Sequence, residues 1–209
     1  DRWFRALNGV DLQIKRGEII GIMGPNGSGK STMLRVIGGI YAPDEGTVRT
    51  RGRVTLLAGI GTGFQRDLTG RENIMLTGSI FGFDEKALIK LTPSIIEFSG
   101  IGDFIDYPIR TYSSGMRARL GFSIVSHMEP DILLLDEVMS VGDHDFRQRS
   151  RERIEEMVRG DATVVIVSHS VSILDGLCNR VYGLSNGQLV TDGDKEEAFA
   201  FYRSENKEE

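Results

Sequence analysis

Short apolar runs in this sequence show no alternation of apolar and polar positions. Residues 17–23 form one such run, which ends at a glycine-rich loop followed by a helical pattern over residues 30–37. The runs at 132–135 and 163–167 are equally apolar, and each ends in polar residues. Uninterrupted runs of this length are typical of parallel strands buried on both faces of a sheet. The pattern predicts an α/β core with a strand, a loop and a helix in succession.

Helical patterns fill the middle of the chain. From Leu68 to Met128 the sequence lacks a convincing buried strand, and its helical patterns are broken at Pro93 and Pro108. A highly charged stretch at 146–158 with a few apolar positions, followed by Gly160, predicts a surface helix that stops at the glycine.

Two short elements are predicted near the C-terminus. Residues 172–177 read as a short helix, and the polar tail after Ser204 is expected to fray. In residues 181–190, Asn186 and Gly187 stand between apolar flanks, which predicts a β-hairpin.

Composition and length are those of one ordinary domain. Of the 209 residues 40% are hydrophobic and 26% are charged, and no internal repeat or low-complexity linker divides them. We therefore expect a single domain with a core of residues 1–69 and 128–209 and a helical lobe of residues 70–127.

Charge, apolar runs and cysteine content restrict the classes of partner and compartment. The 25 Lys and Arg against 30 Asp and Glu give a net charge of -5, which argues against sequence-independent binding of nucleic acid. No apolar run reaches the roughly 18–20 residues that cross a bilayer, and the start lacks a secretory signal. Cys178 is the single cysteine, so an internal disulfide is excluded and a reducing cytosol is expected.

The glycine-rich loop fits the phosphate-loop pattern. Its residues are Gly24, Pro25, Asn26, Gly27, Ser28, Gly29, Lys30 and Ser31. Glycines let backbone N–H groups surround a polyphosphate, and the following helix directs its positive end at the phosphates. On this interpretation Lys30 bridges the terminal phosphates and Ser31 binds Mg²⁺. The alternative is a structural glycine turn, but the predicted strand before the loop and the helix after it favour a phosphate site.

Two carboxylates, Asp136 and Glu137, follow the apolar run at 132–135. In phosphoryl transfer the first can hold the metal through water, and the second can orient and deprotonate the attacking water. Alone, such a pair is usually the solvated start of a loop. With a phosphate loop about a hundred residues upstream, we favour the functional interpretation.

A third motif, Ser113-Ser114-Gly115, opens an apolar helical pattern. It is explained locally as a helix N-cap, and equally as free N–H groups and hydroxyls that bind a γ-phosphate. The residues themselves leave both interpretations open.

Five motifs in order resemble the nucleotide-binding domain of ABC ATPases over nearly the whole chain. They are the phosphate loop, residues 112–116 as a variant of the Leu-Ser-Gly-Gly-Gln signature, Asp136-Glu137, residues 140–143, and Ser168-His169. More narrowly, residues 68–74, 111–116 and 136–143 are similar to the ATPase subunits of bacterial exporters of O-antigen polysaccharide or teichoic acid. The resemblance implies a P-loop core of mostly parallel strands, an N-terminal antiparallel β part and an inserted helical subdomain.

The resemblance also implies a role for individual residues. Two domains of that family pair head to tail, so ATP bound at Gly24 to Thr32 of one copy is covered by residues 113–115 of the other. His169 corresponds to the switch histidine that contacts the γ-phosphate, and Asp143 lies in the loop that couples the two sites. His127 and His144 match no motif and are expected to be ordinary surface or helix-packing residues.

The Mg²⁺ ligands implied are Ser31, Asp136 and Gln65. Gln65 departs from the family because it lies closer to the following motif than the usual spacing. The family's adenine-stacking aromatic lies on a strand before the start of this chain, so that strand is expected to be missing and Trp3 and Phe4 are expected to be core residues.

The resemblance predicts Mg²⁺-dependent ATP hydrolysis that powers export at the cytoplasmic face of the membrane. The expected partners are a second copy of the chain and transmembrane permease subunits. The resemblance places the contact with the permease subunits along residues 59–69 and 71–83. Nucleic acid is not an expected partner. The alternatives are an ABC ATPase with another substrate or outside transport, such as one acting on chromosomes, and a small-molecule kinase or GTPase. ABC ATPases that act on chromosomes generally carry long coiled coils or a basic surface, and this sequence shows neither. It also lacks the Asn-Lys-x-Asp run with which a GTPase reads guanine.

Overall fold

A computed structural model describes residues 4–58, 63–136 and 143–205 of the chain. The strands in these residues are β1 (Ile19–Met23), β2 (Val54–Ala58), β3 (Ile132–Asp136), β4 (Thr163–Val167), β5 (Arg180–Ser185) and β6 (Gln188–Leu189). The helices are α1 (Lys30–Ile37), α2 (Gly70–Ile80), α3 (Glu85–Ser99), α4 (Ser114–His127), α5 (His144–Arg159), α6 (Val171–Leu177) and α7 (Lys195–Glu205). Two short 3₁₀ helices, Gly102–Asp106 and Ile109–Thr111, precede α4.

The strands of the described residues form one sheet in the order β2-β3-β4-β1-β5-β6. The pairs β3–β4, β4–β1 and β1–β5 are parallel, and β5–β6 is antiparallel. All five residues of β1 and of β4 are buried, which explains why their sequences carry no polar alternation. The prediction of a mostly parallel α/β core is confirmed.

The described residues fall into two compact units. The sheet unit is drawn from 1–56, 131–137 and 158–209, and the helical unit from 57–130 and 138–157. Each unit has its own apolar cluster. The division of the chain into a core and a lobe at residues 70 and 127 stays a prediction.

The helical unit corrects one expectation, because Pro93 does not break the helical pattern. Helix α3 continues through Pro93 to Ser99 and ends at Gly100, whose φ is 62°. A proline within a helix removes one backbone hydrogen bond. Leu88 and Ile95 on either side of it are fully buried in the apolar cluster of this unit, and that burial outweighs the missing bond. Pro108, as expected, lies between the two 3₁₀ helices.

The N-terminal region departs from the expected antiparallel β part. Described residues 4–18 contain no strand, and the antiparallel pair of the sheet is the hairpin β5–β6, whose Asn186-Gly187 turn confirms the sequence prediction. Gly9 and Gly17 in this stretch have positive φ angles. Phe4 is 84% exposed, so its assignment to the core is wrong. Among the described residues, the first one packed against the apolar cluster of the sheet unit is Leu7.

Candidate functional site

The carboxyl ends of three parallel strands meet at one edge of the sheet unit. Val167, the last residue of β4, stands in register with Ile22 of β1 on one side and with Asp136 of β3 on the other. The chain leaves β1 into the loop at Gly24 and leaves β4 two residues before His169. This edge is where open α/β sheets bind ligands, and it gathers three of the predicted site segments.

The ammonium group of Lys30 lies inside the glycine-rich loop. Its Nζ donates to the carbonyl oxygens of Gly24 and Pro25, each at 2.8 Å, and Lys30 is only 7% exposed. The backbone N–H of Ser28 also donates to the Pro25 carbonyl, at 3.3 Å. The loop therefore closes around a cation.

Glycine is required at Gly24 by the close approach of a neighbouring strand. A Cβ added there would collide with the backbone carbonyl of Leu184 in β5. Gly29 precedes α1 with a φ of 107° and supplies no side-chain cap, and the first turn of α1 has no acidic residue. The first N–H groups of α1, from Lys30 to Thr32, have no partner within the helix and favour an anion at this end.

The hairpin turn supports the phosphate loop, a link that the sequence analysis missed. The N–H of Gly187 donates to the Ser28 carbonyl at 2.9 Å, and the Gly187 carbonyl accepts from the N–H of Asn8 at 2.8 Å. An Asn-Gly dipeptide identifies a hairpin but not what the hairpin contacts, so no local signal could have found this link.

Oxygen donors suited to Mg²⁺ are present at the sheet edge. Ser31 and Asp136 are both half-buried, and hydroxyl and carboxylate oxygens are ligands that Mg²⁺ accepts. Among the described residues no group of three or more His, Cys, Asp or Glu could hold a metal ion. Mg²⁺ commonly takes one or two protein oxygens together with substrate phosphates, and the donors fit that pattern. Glu137 lies outside the described residues.

His169 is half-buried and held on both sides. The Ser168 N–H before it donates to the Ile22 carbonyl at 3.3 Å, and the Ser168 hydroxyl accepts from the N–H of Ser170 at 3.0 Å. Its imidazole Nδ1 lies 3.0 Å from the hydroxyl oxygen of Tyr202 in α7.

In the helical unit, Ser113 is the N-cap of α4. Its hydroxyl accepts from the N–H of Met116 at 3.1 Å, so the capping interpretation is confirmed while phosphate binding stays a prediction. Ser114 and Gly115 form the first turn, where N–H groups lack partners within the helix. Among the described residues, a Cβ added at Gly115 would find only the Ser113 hydroxyl within 4 Å, at 3.8 Å. The start of α4 is therefore open beside Gly115.

Gln65 is exposed, and its backbone is fixed to α2 by Asn73. The Asn73 side chain accepts from the Gln65 N–H at 2.8 Å and donates to the carbonyl oxygens of Gln65, Leu68 and Thr69. Asn73 is fully buried. Asn73 stands in the motif at residues 68–74, but its role could not be predicted. Its partners lie on a loop whose path the sequence does not reveal.

Asp143 is exposed and caps α5. Its carboxylate accepts from the N–H of Phe146 at 2.8 Å and pairs with Arg119 at 3.4 Å. The pKa of Asp143 is lowered first by the bond from Phe146 and then by the charge of Arg119. Residues 140–142 of the same motif lie outside the described residues, as do Trp3 and residues 59–62.

The two other histidines lie in the helical unit. The His127 ring contacts the Ser123 carbonyl at 2.7 Å and the edge of Phe98, and burial lowers its pKa. His144 is exposed and pairs with Asp145 at 3.6 Å. Across the described residues, no helix is long and apolar enough to cross a membrane.

The strand, the glycine loop around a lysine and the helix behind it define a phosphate-loop α/β protein. The family described as ABC transporter matches residues 7–140, and the chain belongs to this family. It is 42% identical over 96% of its length to the teichoic acids export ATP-binding protein TagH of Shouchella clausii, and 42% identical over 97% to the O-antigen export system ATP-binding protein RfbB of Klebsiella pneumoniae. It spans 56% of the first of these relatives and 82% of the second.

Solved structures share the fold. A structure titled as the ATP binding subunit of an ABC transporter superposes with a TM-score of 0.86 over 95% of this chain and 93% of that one, at 19% identity. At that identity the likeness concerns the fold alone.

Proposed function

We propose that the chain binds ATP, hydrolyses it and thereby powers export of a cell-surface polysaccharide of the O-antigen or teichoic acid type. One observation carries the proposal: the loop that encloses the Lys30 ammonium lies at the uncapped start of α1, on the sheet edge where Asp136 and His169 also emerge. This combination supports a site for a polyphosphate.

Each group of the proposed site has a distinct task. Lys30 and the N–H groups of the loop and of α1 hold the phosphates and stabilise the charge that develops during transfer. Ser31, Asp136 and Gln65 are the residues that would hold Mg²⁺, which when bound neutralises charge on the terminal phosphates. Glu137 takes the proton of the attacking water.

Two copies of the chain complete the site head to tail. The start of α4 of one copy covers the phosphates bound to the loop of the other, through the N–H groups and hydroxyls of residues 113–115. The open space beside Gly115 supports this role, since a phosphate can approach the backbone there. His169 contacts the terminal phosphate, and Asp143 belongs to the loop that links the two sites.

The transport role is supported by the relatives. Their names assign them to teichoic acid and O-antigen export, and they are 42% identical to this chain over nearly its whole length. The chain then acts at the cytoplasmic face of the membrane, on transmembrane subunits that form the path.

Lys30→Ala tests the proposal, with Lys90→Ala as the matched control because Lys90 is exposed on α3. Purified Lys30→Ala protein should fold, as circular dichroism and thermal unfolding would show, and should lose ATP hydrolysis. Cells carrying it should lose surface polysaccharide, whereas Lys90→Ala should change neither readout. ATPase activity of folded Lys30→Ala within a few-fold of the parent would exclude the phosphate-loop assignment, and normal polysaccharide in cells without the gene would exclude the export role.

A further inference from the structure

The last described helix of the sheet unit places a tyrosine hydroxyl against the imidazole of His169. The hydroxyl oxygen of Tyr202 lies 3.0 Å from Nδ1, and the two ring centroids are 6.1 Å apart with an interplanar angle of 40°. The two residues are 33 positions apart in the sequence, so no local turn creates the contact. It depends on how α7 is docked.

Helix α7 is fixed by contacts at its start and along one face. The Asp194 side chain accepts from the N–H of Glu197 at 2.9 Å, and the Lys195 ammonium pairs with the Asp175 carboxylate at 2.9 Å. Ala198 and Phe199 are buried. The Tyr202 ring is therefore carried by a helix that cannot rotate without exposing apolar surface.

The loop that carries His169 is fixed as well. Ser168 bonds to β1 through its N–H and to Ser170 through its hydroxyl, so the backbone on both sides of the imidazole is constrained. A hydrogen bond between two constrained groups loses little conformational entropy when it forms.

The direction of this hydrogen bond decides which ring nitrogen carries the proton, because a tyrosine hydroxyl can donate to Nδ1 or accept from it. A neutral imidazole carries its single proton on either Nδ1 or Nε2, and the hydrogen bond made by one nitrogen decides the form of the other. If Tyr202 donates its O–H to Nδ1, the ring proton is held on Nε2. An N–H on Nε2 donates to an oxygen anion, whereas a lone pair there repels one.

We propose that Tyr202 is a positioning residue for His169, which donates to Nδ1 and thereby keeps the imidazole as an Nε2–H donor for the terminal phosphate. The proposal deepens the proposed function and rests on it for the role of His169. The contact with Nδ1 and the resulting tautomer are properties of the chain alone and can be measured without nucleotide.

The test uses Tyr202→Phe, which keeps the ring and removes the hydroxyl. Tyr41→Phe is the matched control, since Tyr41 belongs to the same unit and is 47% exposed. Long-range ¹H–¹⁵N spectra of the nucleotide-free chain at a pH where the ring is neutral report which imidazole nitrogen carries the proton. We expect His169 as Nε2–H in the parent and in Tyr41→Phe, and a mixture of both tautomers in Tyr202→Phe at an unchanged melting temperature.

The kinetic arm compares Tyr202→Phe in two backgrounds. With His169 present, kcat should fall about tenfold while KM for ATP changes little, the size expected for one well-placed hydrogen bond. With His169→Ala, adding Tyr202→Phe should have no further effect. An Nδ1–H tautomer in the parent, or unchanged tautomer populations in Tyr202→Phe, would overturn the proposal, whereas a parent chain without any ATPase activity would overturn the proposed function and leave the tautomer result standing.

Discussion

The two units hold their site residues by different means. In the sheet unit the phosphate loop is shaped by backbone: carbonyls of Gly24 and Pro25 surround Lys30, and the Gly187 N–H supports Ser28 from outside. In the helical unit, side chains bond to the backbone instead. Examples are the Ser113 cap, the bonds of Asn73 to the loop before α2, and the reciprocal capping box of Thr69 and Glu72. Because backbone packing shapes one region and side-chain bonds shape the other, some substitutions at the site residues should change stability and others should change only activity.

Two glycines of the proposed site show the contrast. Gly24 has a backbone carbonyl where a Cβ would go, whereas Gly115 has open space on a helix. A side chain at Gly24 should therefore disturb folding before it disturbs chemistry, and a side chain at Gly115 should leave folding intact.

Gly24→Ala should have the largest effect on stability. The added Cβ meets the Leu184 carbonyl, which belongs to the central sheet and cannot move aside. We expect a loss of more than about 3 kcal/mol in the free energy of unfolding, measured by urea denaturation. Gly39→Ala is the control, because Gly39 also has a positive φ but no atom of the described residues within 4 Å of the added Cβ. Equal losses in both variants would show that backbone strain, not the close approach, dominates.

Asn73→Ala should follow in size. It leaves the backbone of the Gln65 loop without the acceptor and donors of the buried Asn73 side chain, and we expect a loss of about 2–3 kcal/mol. Ser94→Ala, which removes an exposed bond of α3, serves as the control and should cost well under 1 kcal/mol. If the two variants unfold at the same urea concentration, the Asn73 hydrogen bonds contribute little to stability.

Tyr112→Phe should cost about 1 kcal/mol at pH 8, and this cost should disappear as pH rises above 10. The Tyr112 hydroxyl donates to the Phe104 carbonyl at 2.6 Å, and burial raises the pKa of Tyr112 to about 12, above its ordinary value near 10. A group whose folded pKa is raised stabilises the fold below its unfolded pKa and loses that contribution as pH rises. The difference in unfolding free energy between parent and variant should shrink between pH 10 and pH 12, and a constant difference would contradict the burial of this hydroxyl.

Gly115→Ala should have the smallest effect on folding and the opposite sign. Alanine is a better helix former than glycine by up to about 1 kcal/mol, and the first turn of α4 has room for its methyl group. Thermal unfolding should show an unchanged or slightly raised midpoint. A clear loss of stability would mean that Gly115 is constrained in the same way as Gly24.

Sequence patterns found the elements and motifs of both units but not the contacts that hold them. The strand, loop and helix around Lys30 were predictable because each is a local signal, and the hairpin at Asn186 was predictable for the same reason. The predicted break at Pro93 was wrong because its buried neighbours in α3 override the tendency of proline to interrupt a helix. Tyr202 and Asn73 gave no signal, since their importance comes from partners that only the folded backbone brings near.

The central claim, that each ATP lies between the loop of one copy and the α4 start of another, is tested most directly by mixing two inactive variants. Lys30→Ala removes the cation of the loop, and Gly115→Asp places a carboxylate where the phosphate should approach. A head-to-tail dimer of one copy of each retains one site with both elements intact. We expect each variant alone to be inactive and an equal mixture to recover about a quarter of the parental ATPase rate, because half of the dimers are mixed and each mixed dimer has one intact site of two. No recovery on mixing two folded variants that each still form dimers would contradict it.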